Sequence, residues 1–531
     1  MPHNGRRARD AAREHFGHET LLPGQEETIG ALLDGRDVLL VSPTGSGKSL
    51  TYQVAGVLLE GCTVVVSPLL ALQADQIDSL EEGGPQLRAA RVSSAETDKQ
   101  REEALERART GEVEFLFMSP EQLAADDVRE RVRELGPSLV AVDEAHCVSA
   151  WGHDFRPDYF RLGELIDDIG RPRVIAMTAT AALPVRNDIV DRLALRDHRV
   201  VVTGFARDNI ALRVTRCAGE DEQRQAVLDA VTEGAQDGGA GIVYCRTRKG
   251  AEEYAGILEL AGRRTAVYHA GLSQKRRDAA HEAFMADEVD TIVATSAFGM
   301  GIDKPDVRYV VHADVPESPD TYYQEVGRAG RDGDPATATL VYRAEDLSLG
   351  RFFAGGVPKR KDVAAVLAAH AKDPDTVREA TGFGPRKAGR ILNLAQLVAE
   401  TGGPTGAGQK AVDAVVERAE AQRKLEHSRV EMMRGYAESD RCRAEFLLAY
   451  FGEPADGLCG ICDNCRAGLA EQPADESRSP FPLQSHVRHA EFGEGTVTDI
   501  EEDRITVLFD DVGYRTLSLA LVEEQELLEG A

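Results

Sequence analysis

The stretch from Asp37 to Leu50, D-V-L-L-V-S-P-T-G-S-G-K-S-L, constrains the fold more than any other part of the chain. An apolar run, a glycine loop and a helix-favouring run follow in that order, which predicts a strand feeding a helix in a mostly parallel α/β sheet. Gly45 and Gly47 let backbone N–H groups close on phosphate oxygens, with Thr44 and Ser46 completing the loop. Lys48 is spaced to reach the β and γ phosphates of a nucleotide, and Ser49 to hold Mg²⁺. Ser42 stands at the first position, where the general pattern has glycine. Other apolar runs repeat the design: C-T-V-V-V-S-P from Cys62, F-L-F-M-S-P from Phe115 and V-I-A-M-T-A-T from Val174 each end in a short polar loop. Ligands bind at such strand ends in α/β sheets.

The run V-A-V-D-E-A-H, Val140 to His146, ends a further predicted strand in two adjacent carboxylates. Asp143 suits a magnesium-binding acid and Glu144 a residue that activates water, the two acids a nucleotide hydrolase needs. The loop beyond carries His146, Trp151, His153, Phe155 and Arg156, and Trp151 is the single tryptophan of the chain. Aromatic and guanidinium faces are surfaces for unstacked bases. One loop is therefore expected to join hydrolysis to nucleic-acid sensing.

A second series of strand and helix signals opens at G-I-V-Y-C-R-T-R-K-G, from Gly241, and closes with Y-Y-Q-E-V-G-R-A-G-R-D-G, Tyr322 to Gly333. Gln324 followed by Arg328 and Arg331 suits a role against a γ-phosphate across a cleft. Arg331 is the expected finger and Arg328 its support. Residues 1–203 would form one lobe and 204–350 the other.

Together S-P-T-G-S-G-K-S, D-E-A-H and M-T-A-T resemble a superfamily 2 helicase. The longer run C-V-S-A-W-G-H-D-F-R-P-D-Y, directly after D-E-A-H, resembles the aromatic-rich loop of the RecQ DNA helicases. The resemblance implies an α/β fold with two RecA-like parallel-sheet domains, ATP as the nucleotide, and Mg²⁺ held by Ser49 and, through water, by Asp143. It implies Glu144 as the base for the attacking water, and His146 and Thr178 as the coupling to the second lobe. Trp151, His153, Phe155 and Arg156 would meet single-stranded DNA. It further implies 3′-to-5′ movement along one strand and unwinding of duplexes in DNA repair and recombination. One departure stands out. The family's F-G-[aromatic]-x-x-F-R-P-G-Q reads F-G-H-E-T-L-L-P-G-Q here, so Gln25 remains to read the adenine edge while His18 replaces the aromatic and Leu22 the arginine. An RNA-dependent ATPase is opposed by the aromatic loop. A DNA-binding scaffold with a degenerate motor is opposed by the intact Lys48, Asp143, Glu144 and Arg331.

After the motor, residues 356–404 read as helices with a turn, including D-T-V-R-E-A-T-G-F-G-P-R-K-A-G-R-I. A helix-turn-helix or winged-helix unit fits, and T-G-F-G-P-R-K-A-G-R-I also resembles a helix-hairpin-helix loop. Either would bring Arg386, Lys387 and Arg390 near DNA phosphates. A packing helix pair without DNA contact is the remaining reading. Residues 405–467 read as a helical hairpin with Cys442, Cys459, Cys462 and Cys465, the last three in C-G-I-C-D-N-C. Thiolates two residues apart on a tight turn can face one ion, and a fourth closes a tetrahedron around Zn²⁺. The run also resembles the RecQ zinc-binding subdomain. Cys62, Cys147, Cys217 and Cys245 are scattered and read as packing residues.

Residues 468–484 are rich in proline, serine and acids, a predicted linker. Residues 485–531 alternate apolar and polar positions between turn signals, which predicts a small antiparallel β-barrel. It resembles the Tudor/SH3-like module of UvrD-type helicases. Its acids outnumber its bases about four to one, so a protein partner is expected there rather than DNA.

At 531 residues several domains are expected. The formal net charge of −28 matches no simple nucleic-acid binder, so any DNA site must gather its cations locally and bind more weakly as salt rises. No apolar run reaches the roughly 18–20 residues of a membrane span. The basic N-terminus has no apolar segment after it, and a cytoplasmic location with the chromosome is expected.

Overall fold

The computed structural model describes residues 2–68, 73–74, 76–78, 80, 87–149, 157–299, 304–347, 356–369, 374–455, 457–470, 479–501, 503–510 and 512–530. Trp151, His153, Phe155 and Arg156 lie outside the described residues. The chain divides into two compact units: residues 1–213, 224–313 and 320–339 form the first, and residues 214–223, 314–319 and 340–531 the second. No helix among the described residues is long and apolar enough to cross a membrane.

The first unit holds two lobes. In one, β1 (Val38–Val41), β2 (Thr63–Val66), β3 (Ala89–Val92), β4 (Phe115–Met118), β5 (Leu139–Val142), β6 (Arg173–Thr178) and β7 (Arg199–Val202) form one sheet. Their order is β3-β4-β2-β5-β6-β1-β7, and every pair is parallel. Parallel sheets are covered on both faces, and the short runs V-L-L-V, T-V-V-V, F-L-F-M and L-V-A-V are buried throughout. In the other lobe, β8 (Ile210–Arg216), β9 (Ala240–Tyr244), β10 (Thr265–Tyr268), β11 (Thr291–Ala294), β12 (Val307–His312) and β13 (Ala336–Tyr342) take the order β10-β11-β9-β12-β13-β8. The ladders β10–β11, β11–β9 and β9–β12 are parallel. The α/β expectation of two parallel-sheet lobes holds.

In the second unit, helices Arg360–Ala368 and Pro385–Glu400 pack against the first half of a helix running from Gln409 to Glu438, and the helix Pro374–Thr381 packs on those two. Val363, Val366, Val377, Ile391, Leu394 and Val415 are among the side chains of their shared core. Among the described residues no strand lies between Tyr342 and His486, and the described part of the insertion is helical. The 30-residue helix reaches about 45 Å at 1.5 Å per residue, long enough to serve two neighbours. Its second half meets the C-terminal sheet.

That sheet consists of β14 (His486–His489), β15 (Gly493–Ile500), β16 (Arg504–Phe509), β17 (Gly513–Ser518) and β18 (Leu528–Gly530), antiparallel in the order β17-β16-β15-β14-β18. The expected antiparallel module is present as this five-stranded sheet, and among the described residues no ladder joins β17 to β18. The helix Leu519–Glu524 lies between these two strands in the chain and sends Leu519 and Val522 into the core with Val487, Val497 and Phe509. Gly513 lies against the long helix: a Cβ there would stand 2.2 Å from Ser428 Oγ.

Candidate active site and metal centre

The order β5-β6-β1 sets three strand ends side by side. The loop after β1, Thr178 at the end of β6 and the Asp143–Glu144 pair after β5 therefore share one edge. Gly45 and Gly47 have φ values of 80° and 71°, a left-handed region that glycine enters cheaply. Gly47 precedes the helix Lys48–Leu59, whose first N–H groups have no partner within the helix and are suited to phosphate. Lys48 Nζ donates to the carbonyls of Ser42 at 2.9 Å and Pro43 at 3.0 Å. Burial lowers the pKa of Lys48, while the carboxylates of Glu144 and Asp143 oppose that fall.

Burial and the neighbouring Glu144 push Asp143 up to about 6, against the pull of Lys48. Two crowded acids gain from a bound cation, and Ser49 Oγ with Asp143 offers the hard oxygen donors that Mg²⁺ prefers. Gln76 joins these donors: its Nε2 lies 3.3 Å from Asp143 Oδ2 and 3.5 Å from Ser49 Oγ. Sequence reasoning read the run that holds Gln76 as a strand leading into a helix and gave Gln76 itself no role.

Glu144 has φ 49° and ψ 45°, left-handed backbone that a glutamate adopts only at a cost. The turn parts it from Asp143 and brings its Oε2 to 3.3 Å from His146 Nδ1. His146 Nδ1 also lies 3.0 Å from Thr178 Oγ1. The Thr178 hydroxyl donates its one hydrogen to the Thr180 carbonyl at 2.9 Å, so the imidazole must be the donor to Thr178, with its proton on Nδ1. Gln324 Nε2 from the second lobe then donates to Thr180 Oγ1 at 3.3 Å. A polar path thus runs from Glu144 to the arginine-bearing turn.

Arg331 reaches the first lobe. A Cβ on Gly45 would fall 3.2 Å from Arg331 Cδ, and the guanidinium charge acts on Lys48. Both residues line a cleft of about 640 Å³ together with Gln25, Thr44, Ser46 and Arg207. The turn that carries Arg331 is tied down by Arg207, which donates to the carbonyls of Gly327, Ala329 and Gly330, and by Asn209, which donates to those of Gly330 and Asp334. Neither positioning residue was identified from the sequence, because each bridges more than a hundred residues. Arg328 is buried and directed into its own lobe, beside Gly299 and Tyr244. Any support it gives Arg331 runs through the shared turn.

Gln25 Oε1 accepts from the Leu22 N–H at 3.0 Å, and its Nε2 donates to the carbonyls of Ser46 at 3.0 Å and Gly47 at 3.2 Å. The residue ties the turn at Leu22 to the phosphate loop. Leu22 lines the cleft with more than half its surface exposed, whereas His18 is exposed outside that lining.

In the second unit the four sulfur atoms of Cys442, Cys459, Cys462 and Cys465 lie within 4.8 Å of one another. Cys459 Sγ and Cys465 Sγ are 3.9 Å apart. Four thiolates at about 2.3 Å from a tetrahedral zinc stand about 3.8 Å apart, so the set fits one Zn²⁺. The N–H of Cys459 points at Cys442 Sγ and that of Cys465 at Cys462 Sγ, each at 3.4 Å. Such contacts favour thiolate over thiol. Four thiolates leave no open position, which makes the centre structural.

Arg386, Lys387 and Arg390 lie in the first turns of the helix Pro385–Glu400, all exposed. Lys387 is engaged locally: its Nζ lies 2.8 Å from Asp362 Oδ2 and 3.8 Å from the centre of the Phe383 ring.

Comparison with known proteins agrees with this arrangement. Residues 22–189 match the DEAD/DEAH box helicase family model, residues 222–333 the helicase conserved C-terminal domain, and residues 402–466 the RecQ zinc-binding model. The chain is 35% identical over 502 residues to the probable ATP-dependent DNA helicase RecS of Bacillus subtilis, covering 92% of this chain and 98% of the relative. It is 32% identical over 463 residues to the ATP-dependent DNA helicase RecQ of the same organism, covering 86% and 67%. Mycobacterium smegmatis helicase Lhr, solved with single-stranded DNA and AMP-PNP, shares the fold at a TM-score of 0.51 and 22% identity over 72% of this chain and 57% of that one. With one relative aligned over almost its full length and the zinc-binding model lying over all four cysteines, the chain belongs to the RecQ family of ATP-dependent DNA helicases.

Proposed function

We propose that this enzyme hydrolyses ATP to move 3′ to 5′ along single-stranded DNA and to unwind duplexes during DNA repair and recombination, inside the cell. The observation that carries the reading is the path from Glu144 through His146, Thr178 and Thr180 to Gln324, because a motor needs its hydrolytic acid linked to its second lobe. Lys48 and the N–H groups of the phosphate loop would hold the β and γ phosphates. Ser49 and, through water, Asp143 would hold Mg²⁺, which neutralises charge on those oxygens. Glu144 would take the proton of the attacking water, and Arg331 would face the γ-phosphoryl group. Trp151, His153, Phe155 and Arg156 follow this acid in the chain, a short distance over which bound DNA could bias it. Arg386, Lys387 and Arg390 would add phosphate contacts. The C-terminal sheet, with its excess of acids, would contact a protein partner on its remaining surface.

Turnover should rise with single-stranded DNA and little with RNA. Lys48→Ala should lower it by on the order of 10²–10³-fold, the usual cost of losing one preorganised charge stabiliser. Equal stimulation by RNA would defeat the DNA reading. Unwinding of 3′-tailed but not 5′-tailed duplexes tests direction. Trp151→Ala should keep basal hydrolysis and nucleotide binding but lose stimulation by DNA. Wild-type stimulation in that variant would remove Trp151 from the DNA contact.

A further inference from the structure

Arg441, immediately before the zinc ligand Cys442, is gripped from two sides. On one side Asn464, which lies between Cys462 and Cys465 in the chain, donates from Nδ2 to the Arg441 carbonyl at 2.7 Å and to the Ser439 carbonyl at 3.1 Å. On the other, the Arg441 side chain meets the C-terminal sheet. Its Nη1 donates to Asp499 Oδ2 at 2.6 Å and to Glu501 Oε1 at 2.9 Å, and its Nη2 to Asp499 Oδ1 at 3.3 Å. Glu445 takes the rest, from Nε at 3.0 Å and from Nη2. A guanidinium has five N–H donors, and these five bonds account for all of them. Three of the five come from residues 499 and 501, far along the chain from the cysteines. Asp499 is 8% exposed and Glu445 9%, so water is poorly placed to replace them.

We infer that the C-terminal sheet is an internal clamp on the zinc centre: Asp499 and Glu501 hold Arg441, and through it Cys442, in position to ligate the metal. The inference rests on the zinc reading of the four cysteines. Arg441 is a positioning residue, since it touches no sulfur. The docking is broader than one ion pair. Tyr514 of β17 lies 5.2 Å from Tyr450 between ring centres, Gln484 Nε2 donates to the Gly452 carbonyl at 2.9 Å, and Gly513 meets the long helix at Ser428. These contacts fall before Cys442 and between it and Cys459, which suits a brace more than a freely tethered module. Removing the sheet would therefore disturb the metal centre as well as any partner site.

The test measures zinc content and the rate of zinc transfer to a chromogenic chelator in the full-length protein. Wild type is compared with Asp499→Asn/Glu501→Gln, Arg441→Met, Arg441→Lys and the exposed control Glu529→Gln. The double variant and Arg441→Met should release zinc at least about tenfold faster, the scale on which partners of metal ligands act. Arg441→Lys should fall between them and wild type, because an ammonium lacks the planar fork. Glu529→Gln should match wild type, and DNA-free ATP hydrolysis should persist in all. Wild-type release in the folded double variant overturns the clamp. If the double variant does not fold, Glu501→Leu alone removes the one bond from this part-exposed carboxylate, and unchanged release there overturns it equally. Wild-type protein purified without zinc would instead defeat the zinc reading.

Discussion

Arg331→Ala should lower DNA-stimulated ATP turnover by about 10³-fold or more, while nucleotide affinity should change little. The stem of Arg331 rests on the phosphate loop at Gly45 and its charge is felt at Lys48, which supports the proposed place of the guanidinium at the γ-phosphate. Charge placed there acts mainly on the transition state, whose equatorial oxygens carry the developing negative charge. Loss of the side chain therefore appears in kcat rather than in KM. Arg331→Lys does not restore the rate, because a point charge cannot reproduce two parallel donors. Steady-state kinetics together with equilibrium binding of a fluorescent nucleotide separates the two effects. A loss of only a few-fold would show that another cation supplies the charge. Arg328→Ala provides the contrast: that side chain is buried inside the second lobe, so its removal lowers the melting temperature as well as activity.

Cys462→Ser should release the metal and unfold the cysteine-bearing segment. Cys462 is fully buried, and its sulfur accepts from the Cys465 N–H at the start of the short helix Asp463–Arg466. Structural zinc in small four-ligand sites is bound with about 10–16 kcal/mol of apparent free energy, as large as the whole stability of an ordinary domain. Without it, four thiols within 4.8 Å have nothing to draw them together. Limited proteolysis should cut between residues 439 and 470 in the variant and in chelator-treated wild type, and spare the wild type once zinc is restored. Metal analysis should return one zinc per chain in wild type. A metal-free protein with an unchanged melting curve and cleavage pattern would contradict the structural role. The motor residues Lys48, Asp143, Glu144 and Arg331 all lie in the first unit, so DNA-free hydrolysis should survive.

The phosphate loop, the D-E-A-H acids, the finger and the four cysteines were legible in the chain for one reason. Each is a local pattern in which backbone geometry and chemistry are set within about two dozen residues. The insertion was legible as helical, yet its helices carry no mark separating a helix-turn-helix from a winged helix. The distinguishing feature would be a strand, and the described part of the insertion is helical. The C-terminal alternation gave antiparallel strands correctly, but the order β17-β16-β15-β14-β18, with β18 beside β14, has no local signal. Gln76, Arg207 and Asn209 escaped notice because no local pattern announces them.

By itself the sequence determined which short segments become buried strands, where the phosphate loop turns, and which side chains can carry hydrolysis and hold a metal. These follow from hydrophobic period, glycine placement and ligand spacing. Only the tertiary structure decided that β5, β6 and β1 lie adjacent, so that acids, threonine and loop converge on one edge. Only it decided that Gln324 meets Thr180 and that Asp499 meets Arg441, across 144 and 58 residues respectively. Such pairs form when whole cores pack and bring distant surfaces together, and the energy that selects them is spread over many buried side chains rather than written in the partners themselves.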